Sequence, residues 1–168
     1  MGLEKERKFL VSGAAWKQGA AGVPYRQGYL CRLPARLVRV RLAGERGFLA
    51  VKGETRGIVR MEYEYEIPSG DAGDLLREMA EKPLIEKIRY RLPYSGLIWE
   101  VDEFLGENQG LVVAEVEVES EDQIVSKPPW AGREVSDLLR YANSSLVEHP
   151  FSRWREWEKR GERADREA

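Results

Sequence analysis

Cysteine and histidine are nearly missing from this chain, since Cys31 and His149 are the only ones. One thiol excludes an internal disulfide and a thiolate zinc site, and one imidazole removes histidine-rich metal centres. Any metal here must be hard and oxygen-bound. No run approaches the ~18 apolar residues that a membrane-spanning helix needs. The opening Met1-Gly2-Leu3-Glu4-Lys5-Glu6 has no signal-peptide pattern, and Glu6 stands where a myristoylation signal requires Ser or Thr. The expected location is cytoplasmic. Net charge is also scarce: 27 Lys plus Arg nearly cancel 29 Asp plus Glu, leaving −2. That gives no global field toward nucleic acid or an anionic membrane, and neither is expected as a partner. The phosphate-loop spacings Gly-x-Gly-x-x-Gly and Gly-x-x-x-x-Gly-Lys-Ser/Thr do not occur, so Gly44, Gly47, Gly53 and Gly57 read as hairpin turns flanking a strand. Cys31 and His149 have no sequence neighbour that would activate them, and read as a small filler and a turn residue.

What is abundant is charge of both signs. Charged residues make up 33% of the 168, against about 25% in ordinary soluble domains, in a chain of single-domain length. Short alternating runs punctuated by Gly and Pro predict eight antiparallel strands near 3–11, 23–30, 37–43, 47–51, 58–68, 84–93, 97–105 and 111–119. Asp71 and Asp74 ahead of Leu75, Leu76 and Met79 predict a helix over 71–82 that Pro83 ends. A weaker helix is expected over 12–18. Beyond Glu119 the spacing of Val135, Leu138, Leu139 and Ala142 predicts a mainly helical region. In the Arg- and Glu-rich stretch from Phe151 to Ala168, Trp154 and Trp157 are expected to dock the first turns and the end to fray.

The charges alternate with apolar residues at period two, so each strand has one ionisable face. Glu4, Glu6 and Lys8 share the first strand's face, followed by Arg39 and Arg41, then Lys52, then Arg60, Glu62, Glu64 and Glu66. Lys87, Arg89 and Arg91 come next, then Glu100 and Asp102, then Glu115, Glu117 and Glu119. A solvated sheet face with opposite charges paired across strands explains any one of these. Yet such faces normally mix Thr, Ser and Gln with the charges, whereas these are almost purely ionisable. If the strands close into a barrel with the apolar sets outward, the charged sets line a tunnel. Such a lining suits a linear polyanion with divalent cations, because guanidinium and ammonium groups match phosphate and clustered carboxylates supply oxygen ligands for magnesium or manganese. Tyr29 reads equally as packing or as a hydroxyl reaching the lumen.

Glu4-Lys5-Glu6-Arg7-Lys8 has the Glu-x-Glu-x-Lys form that opens the CYTH superfamily, the triphosphate tunnel metalloenzymes, and the chain resembles that family over about Met1 to Phe151. Arg39-x-Arg41, Lys52, Arg60-x-Glu62-x-Glu64, Lys87-x-Arg89, Glu100-x-Asp102 and Glu115-x-Glu117 follow in the family's order. Gln27-Gly28-Tyr29-Leu30 resembles its small bacterial members, and Tyr141-Ala142-Asn143-Ser144-Ser145-Leu146 its closing motif. The resemblance implies a mainly β α+β fold, an eight-stranded antiparallel closed barrel with flanking helices, occupying 1–151 and followed by a charged helical tail over 152–168. It implies that Lys8, Arg39, Arg41, Lys52, Arg60, Lys87 and Arg89 hold the phosphates. It assigns Glu4, Glu6, Glu62, Glu64, Asp102, Glu115 and Glu117 to Mg2+ or Mn2+, and catalytic roles to Lys8, Lys87, Glu6 and Glu117. The implied activity is metal-dependent hydrolysis of inorganic triphosphate to pyrophosphate and phosphate. Class IV adenylyl cyclase or thiamine or nucleoside triphosphatase activity is an alternative, and a non-catalytic polyphosphate- or nucleotide-binding module is an alternative of another class. The partner in each case is a small triphosphate-containing molecule, and the oligomeric state is not legible.

Overall fold

The computed structural model describes residues 2–163. Eight strands follow in chain order: β1 (Gly2–Val11), β2 (Gly22–Leu33), β3 (Arg36–Ala43), β4 (Arg46–Arg56), β5 (Val59–Ile67), β6 (Ile85–Tyr94), β7 (Leu97–Phe104) and β8 (Val112–Glu117). Their order across the sheet is β5-β4-β3-β2-β6-β7-β8-β1, and β1 also pairs with β5, so the eight close into an antiparallel ring. The expected barrel is the one that forms. Closure pairs Leu3 with Met61 and Glu4 with Arg60 on one side of β1, and Glu6 with Glu117 and Lys8 with Glu115 on the other. No ring strand then presents a long free edge, which removes the usual template for aggregation.

The apolar faces point outward and are covered in two places. Helix α1 (Ser69–Glu78) lays Ala72 and Leu76 on Val40, with Leu42, Leu49 and Ile67 packed around them. On the opposite arc, Phe9, Trp99, Val101, Ala114 and Val116 are covered by Trp16 and Trp130. Trp99 has no exposure and meets Phe9 and Trp130 at ring distances of 5.3 and 5.7 Å.

Several local expectations are corrected. The helix expected over 71–82 starts two residues earlier and ends at Glu78, because the chain turns there to bring Ala80 and Leu84 onto Gly28. Lys82 closes that end by donating its ammonium to the Leu76 carbonyl. The helix expected over 12–18 is a single turn, Ala15–Lys17, anchored by the buried Trp16. Gly44 and Gly57 do sit in hairpin turns with left-handed φ values of +59° and +62°. Gly47 and Gly53, in contrast, lie inside β4, which is longer than its apolar run suggested. Gly47 is there for clearance, since a Cβ would lie 2.8 Å from the Ala72 Cβ and 2.9 Å from the Ile67 carbonyl oxygen.

The region after Glu119 is not mainly helical. It forms a short strand β9 (Ala131–Glu134), a turn at Leu139–Tyr141, helix α2 (Asn143–Glu148), a turn at Phe151–Arg153 and one helical turn α3 (Glu156–Lys159). β1 outruns its pairing with β5, and β9 takes the exposed edge, placing Glu134 beside Phe9 and Ala131 beside Val11. Backbone groups at that edge need partners, and the demand outweighs the helical spacing of Val135 and Leu138. Trp154 is buried and meets Tyr141 edge-on at 4.9 Å, whereas Trp157 is only partly covered. The part of the expected tail from residue 164 onward lies outside the described residues. Among the described residues no helix is long and apolar enough to cross a membrane.

The inner faces change character along the barrel axis. Toward one end Tyr29, Leu37, Ile85, Phe104 and Val113 follow the charged residues of their strands, and they pack with Tyr141, Leu146, Val147 and Trp154 of the C-terminal segment. That segment plugs the apolar end of the ring. On the outer face, the close approach of Ala72 and Ile67 to Gly47 means that Gly47→Ala should cost about 1–3 kcal/mol, the usual range for overpacking. The check is thermal denaturation: a melting temperature equal to that of the wild type would show that α1 does not press on β4 at this point.

Candidate active site

Every residue that the sequence picked out for phosphate or metal, except Asp102, lines a single cavity of about 380 Å³ inside the ring. Alternation explains why: the inward positions of β1, β3, β4, β5, β6 and β8 are the ionisable ones. The register separates this lumen from an ordinary wet sheet face. Glu6 stands directly across from Glu117, and Glu100 across from Glu115. Like charges directly opposite are destabilising on a solvated face, so these pairings mark carboxylates gathered for something else.

Asp102 is fully buried beneath the cavity floor. Its Oδ1 accepts from the Arg89 Nε at 2.7 Å, and its Oδ2 accepts from Arg89 Nη2 at 2.7 Å and from Lys87 Nζ at 2.6 Å. With both oxygens committed to cations it is an anchor for them and is not brought to the lumen as a metal ligand. Glu100, which the sequence reading left out of the site, lines the lumen instead and accepts from Arg89 Nη1 at 2.6 Å. The two carboxylates share a face two residues apart, and only their depth toward the plugged end separates their roles. Arg91 shows the opposite displacement, lying outside the lumen with 68% of its side chain exposed.

From Arg89 the ion pairs run on around the ring. Arg89 Nη2 donates to Glu115 Oε2 at 2.9 Å, and Lys8 Nζ donates to Glu115 Oε1 at 2.7 Å and to Glu6 Oε1 at 2.6 Å. Glu115 is thus held between two cations like Asp102. Across the lumen, Glu64 accepts from Arg39 at 2.8 Å and from Arg41 at 3.0 Å, and Lys52 donates to Glu4 and lies 3.2 Å from Glu62. Arg60 donates its Nε to the Gly53 carbonyl at 2.7 Å. The buried Nε atoms of Arg39 and Arg41 have no partner among the described residues.

Protonation equilibria divide these groups into two sets. Burial and the charge of Glu115 push the Glu6 carboxyl up to about 7 against the pull of Lys8. Burial also pushes Glu4 up, and burial with Glu4 and Glu100 nearby raises Glu117. On the cationic side, burial lowers Arg41, with Arg39 adding to the effect, and lowers Arg60. Burial, with Arg89 adding to it, brings Lys87 down to about 8 despite Asp102. The paired groups go the other way, although burial opposes it: Glu115 and Asp102 are held low by their cations, and Glu62 by Glu4 and Lys52. Neighbouring carboxylates raise Lys8 and Arg89, as Tyr29 and carboxylates do Arg39. Burial therefore disfavours the charged forms of Glu4, Glu6, Glu117, Arg41, Arg60 and Lys87, while the remaining shifted groups are compensated by ion pairs.

A hard divalent cation fits the anionic set. Among the described residues no three such side chains already converge as a closed ligand cage. The donor chemistry is nevertheless right, because Glu4, Glu6 and Glu117 are oxygen ligands whose repulsion a cation relieves. Glu62, Glu64 and Glu115 also pair with arginine or lysine, as Glu4 and Glu6 do with Lys52 and Lys8.

Other lumen groups carried no charge signal in the sequence. Tyr25 sits with the guanidinium groups of Arg41 and Arg89 at 5.1 and 5.2 Å from its ring centre. Tyr29 answers to both of its readings: it is buried in the core, yet lines the lumen and receives the Gln27 Nε2 donor on its hydroxyl at 3.2 Å. Ser136 and Asn143 enter from the C-terminal segment, and only the position of Asn143 in the closing motif hinted at them.

A family model described as the CYTH domain matches residues 2–150. An inorganic triphosphatase of Acetivibrio thermocellus is 53% identical over 156 residues, covering 93% of this chain and 100% of that protein. An inorganic triphosphatase of Nitrosomonas europaea is 40% identical over 150 residues, covering 86% of this chain and 96% of the relative. The crystal structure of the inorganic triphosphatase NE1496 superimposes with a TM-score of 0.62 at 37% identity, over 85% of this chain and 96% of that one.

Two outcomes test this electrostatic picture. Asp102→Ala should cost about 3–5 kcal/mol, since it strands two buried cations, whereas Arg41→Ala relieves crowding and should leave the melting temperature equal or higher. A large loss on Arg41→Ala would mean that the cationic set is structural. The second concerns pH. Glu6 binds its proton more tightly folded, at about 7, than unfolded, near 4.5, so stability of the metal-free protein should fall as pH rises between those values. Glu4 and Glu117 act in the same sense, while Glu115 and Asp102 act below that window. Melting temperatures from pH 5 to 7 should slope downward in the wild type and less steeply in Glu6→Gln; parallel curves would reject the shift.

Proposed function

The chain belongs to the CYTH family, and on that premise we propose that it hydrolyses inorganic triphosphate to pyrophosphate and phosphate with a divalent metal. The observation that carries the reading is that one small lumen gathers a set of arginines and lysines and a set of carboxylates. A triphosphate neutralises the first and a hard cation the second. Neither set is stable filled alone, because phosphate repels the carboxylates and metal repels the guanidinium groups.

Arg39, Arg41, Lys52, Arg60 and Arg89 bind and orient the phosphate chain, and Lys8, fixed between Glu6 and Glu115, holds a phosphate oxygen beside the carboxylates. Bound Mg2+ or Mn2+, held by Glu4, Glu6 and Glu117, would polarise a phosphate oxygen and acidify the attacking water. A carboxylate oxygen of Glu6 or Glu117 that the metal leaves free takes the proton from that water as the new P–O bond forms. The bond to the pyrophosphate oxygen breaks, and Lys87, whose ammonium loses its proton near pH 8, supplies a proton to that leaving oxygen. Water is consumed, and one pyrophosphate and one phosphate result.

The choice of inorganic triphosphate over a nucleoside or thiamine ester rests on the relatives and on the aromatic rings of the lumen. Tyr25 already carries two guanidinium groups and Tyr29 is buried, so neither offers a free face for a base.

The decisive measurement is phosphate release from triphosphate, ATP, thiamine triphosphate and longer polyphosphate, with Mg2+, with Mn2+ and after chelation by EDTA. Triphosphate should be the preferred substrate and chelation should abolish turnover. Full activity after exhaustive chelation and dialysis would defeat the metal, preference for ATP would defeat the substrate, and tight binding without turnover would leave a polyphosphate-binding module.

A further inference from the structure

The reading above gives Lys87 the proton for the leaving group, but a lysine side chain on four flexible carbons does not aim itself. Asp102 fixes one of its three N–H donors from below. A second is taken by Asn143, whose Oδ1 lies 2.9 Å from Lys87 Nζ. The third is left for the lumen, which Lys87 lines.

Asn143 is itself fixed from two directions. It opens α2, whose Leu146 and Val147 are buried in the same cluster as Ile85, the inward neighbour of Lys87 on β6. From the other side Gln27, which has no solvent exposure, donates its Nε2 to the same Asn143 oxygen at 3.3 Å and to the Tyr29 hydroxyl at 3.2 Å. The Oε1 of Gln27 has no partner, so nothing else in the described residues explains an amide at that depth. Burying an amide half-satisfied is costly, and its use is to hold the next group in line.

We propose that Asn143 is a positioning residue for Lys87, through which the C-terminal segment that plugs the barrel also completes the active site. A neutral amide suits the task better than a carboxylate. It accepts from the ammonium as Asp102 does, but adds no negative charge beside an incoming polyanion. The inference rests on the proposed role of Lys87, although the contact it names is testable without turnover.

The test pairs kinetics with nitrogen NMR of the lysine ammonium groups in the full chain, using Asn143→Ala, Asn143→Asp and Lys87→Ala, the last to assign the Lys87 signal. Asn143→Ala should lower kcat about 10- to 100-fold, the cost usual for losing a supporting hydrogen bond, with KM changed far less. The Lys87 ammonium signal, slowed in exchange in the wild type, should shift or broaden away. Asn143→Asp keeps the acceptor, so it should restore the Lys87 signal, while its charge raises KM. A folded Asn143→Ala with wild-type kcat overturns the inference. So does a lower melting temperature with an unchanged Lys87 signal, which would make Asn143 structural only. If Asn143→Ala does not fold, Gln27→Ala takes its place with the same expectations. Should the wild type fail to release phosphate from triphosphate, the functional reading falls, and the Lys87 signal still decides whether Asn143 holds that ammonium.

Discussion

One buried carboxylate organises the lumen. Asp102 has no exposure, and three hydrogen bonds from Lys87 and Arg89 occupy both its oxygens. Burying these three charges costs several kcal/mol per ion, which is recovered only if every donor meets its acceptor in good geometry. That requirement fixes the register of β6 against β7. It then travels: Arg89, once placed, reaches Glu100 on β7 and Glu115 on β8, and Glu115 places Lys8 on β1. Four adjacent strands of the ring are tied by one connected set of ion pairs, and removing a central member loosens the others because they share partners.

The opposite arc is built with less satisfaction. Arg39 and Arg41 share the Glu64 carboxylate and keep buried Nε atoms without partners, and Lys52 is divided between Glu4 and Glu62. Such a wall is not the arrangement that maximises stability, since well-packed apolar residues in its place would cost nothing in desolvation. Cations and carboxylates alike line the lumen, so a ligand that binds the folded state alone lowers its free energy. On the function proposed above, charge left under-compensated in the empty protein would favour ligand binding.

The face of each strand was legible in the sequence, because period-two alternation is unambiguous when almost every inward residue is ionisable. Depth was not. Glu100 and Asp102 are equivalent in the pattern, yet one lines the lumen and the other lies under it, since where along the axis the apolar plug begins depends on residues forty positions away. Nor does the sequence show that Glu62, Glu64 and Glu115, like Glu4 and Glu6, accept from or pair with arginine or lysine across the lumen. β9 was missed because four residues carry too little periodicity to show, and what creates the strand is an unfilled edge on β1. Asn143 was visible only as part of a motif, as an amide in a helical run gives no sign of the side chain it will meet.

The plug also bears on which polyanion the lumen suits. On β3 the inward sequence reads Leu37, Arg39, Arg41; on β6 it reads Ile85, Lys87, Arg89; and on β8 it reads Val113, Glu115, Glu117. The apolar residues of these strands join one cluster with Tyr141, Leu146 and Trp154. A phosphate chain entering from the charged end meets cationic ligands through only part of the ring's depth. Beyond that lies a dry core in which a charged oxygen would lose its hydration with nothing to replace it. On the function proposed above, each phosphate past the last arginine would gain no protein ligand, so the depth of the charged layer, set by packing at the plugged end, would favour a short chain.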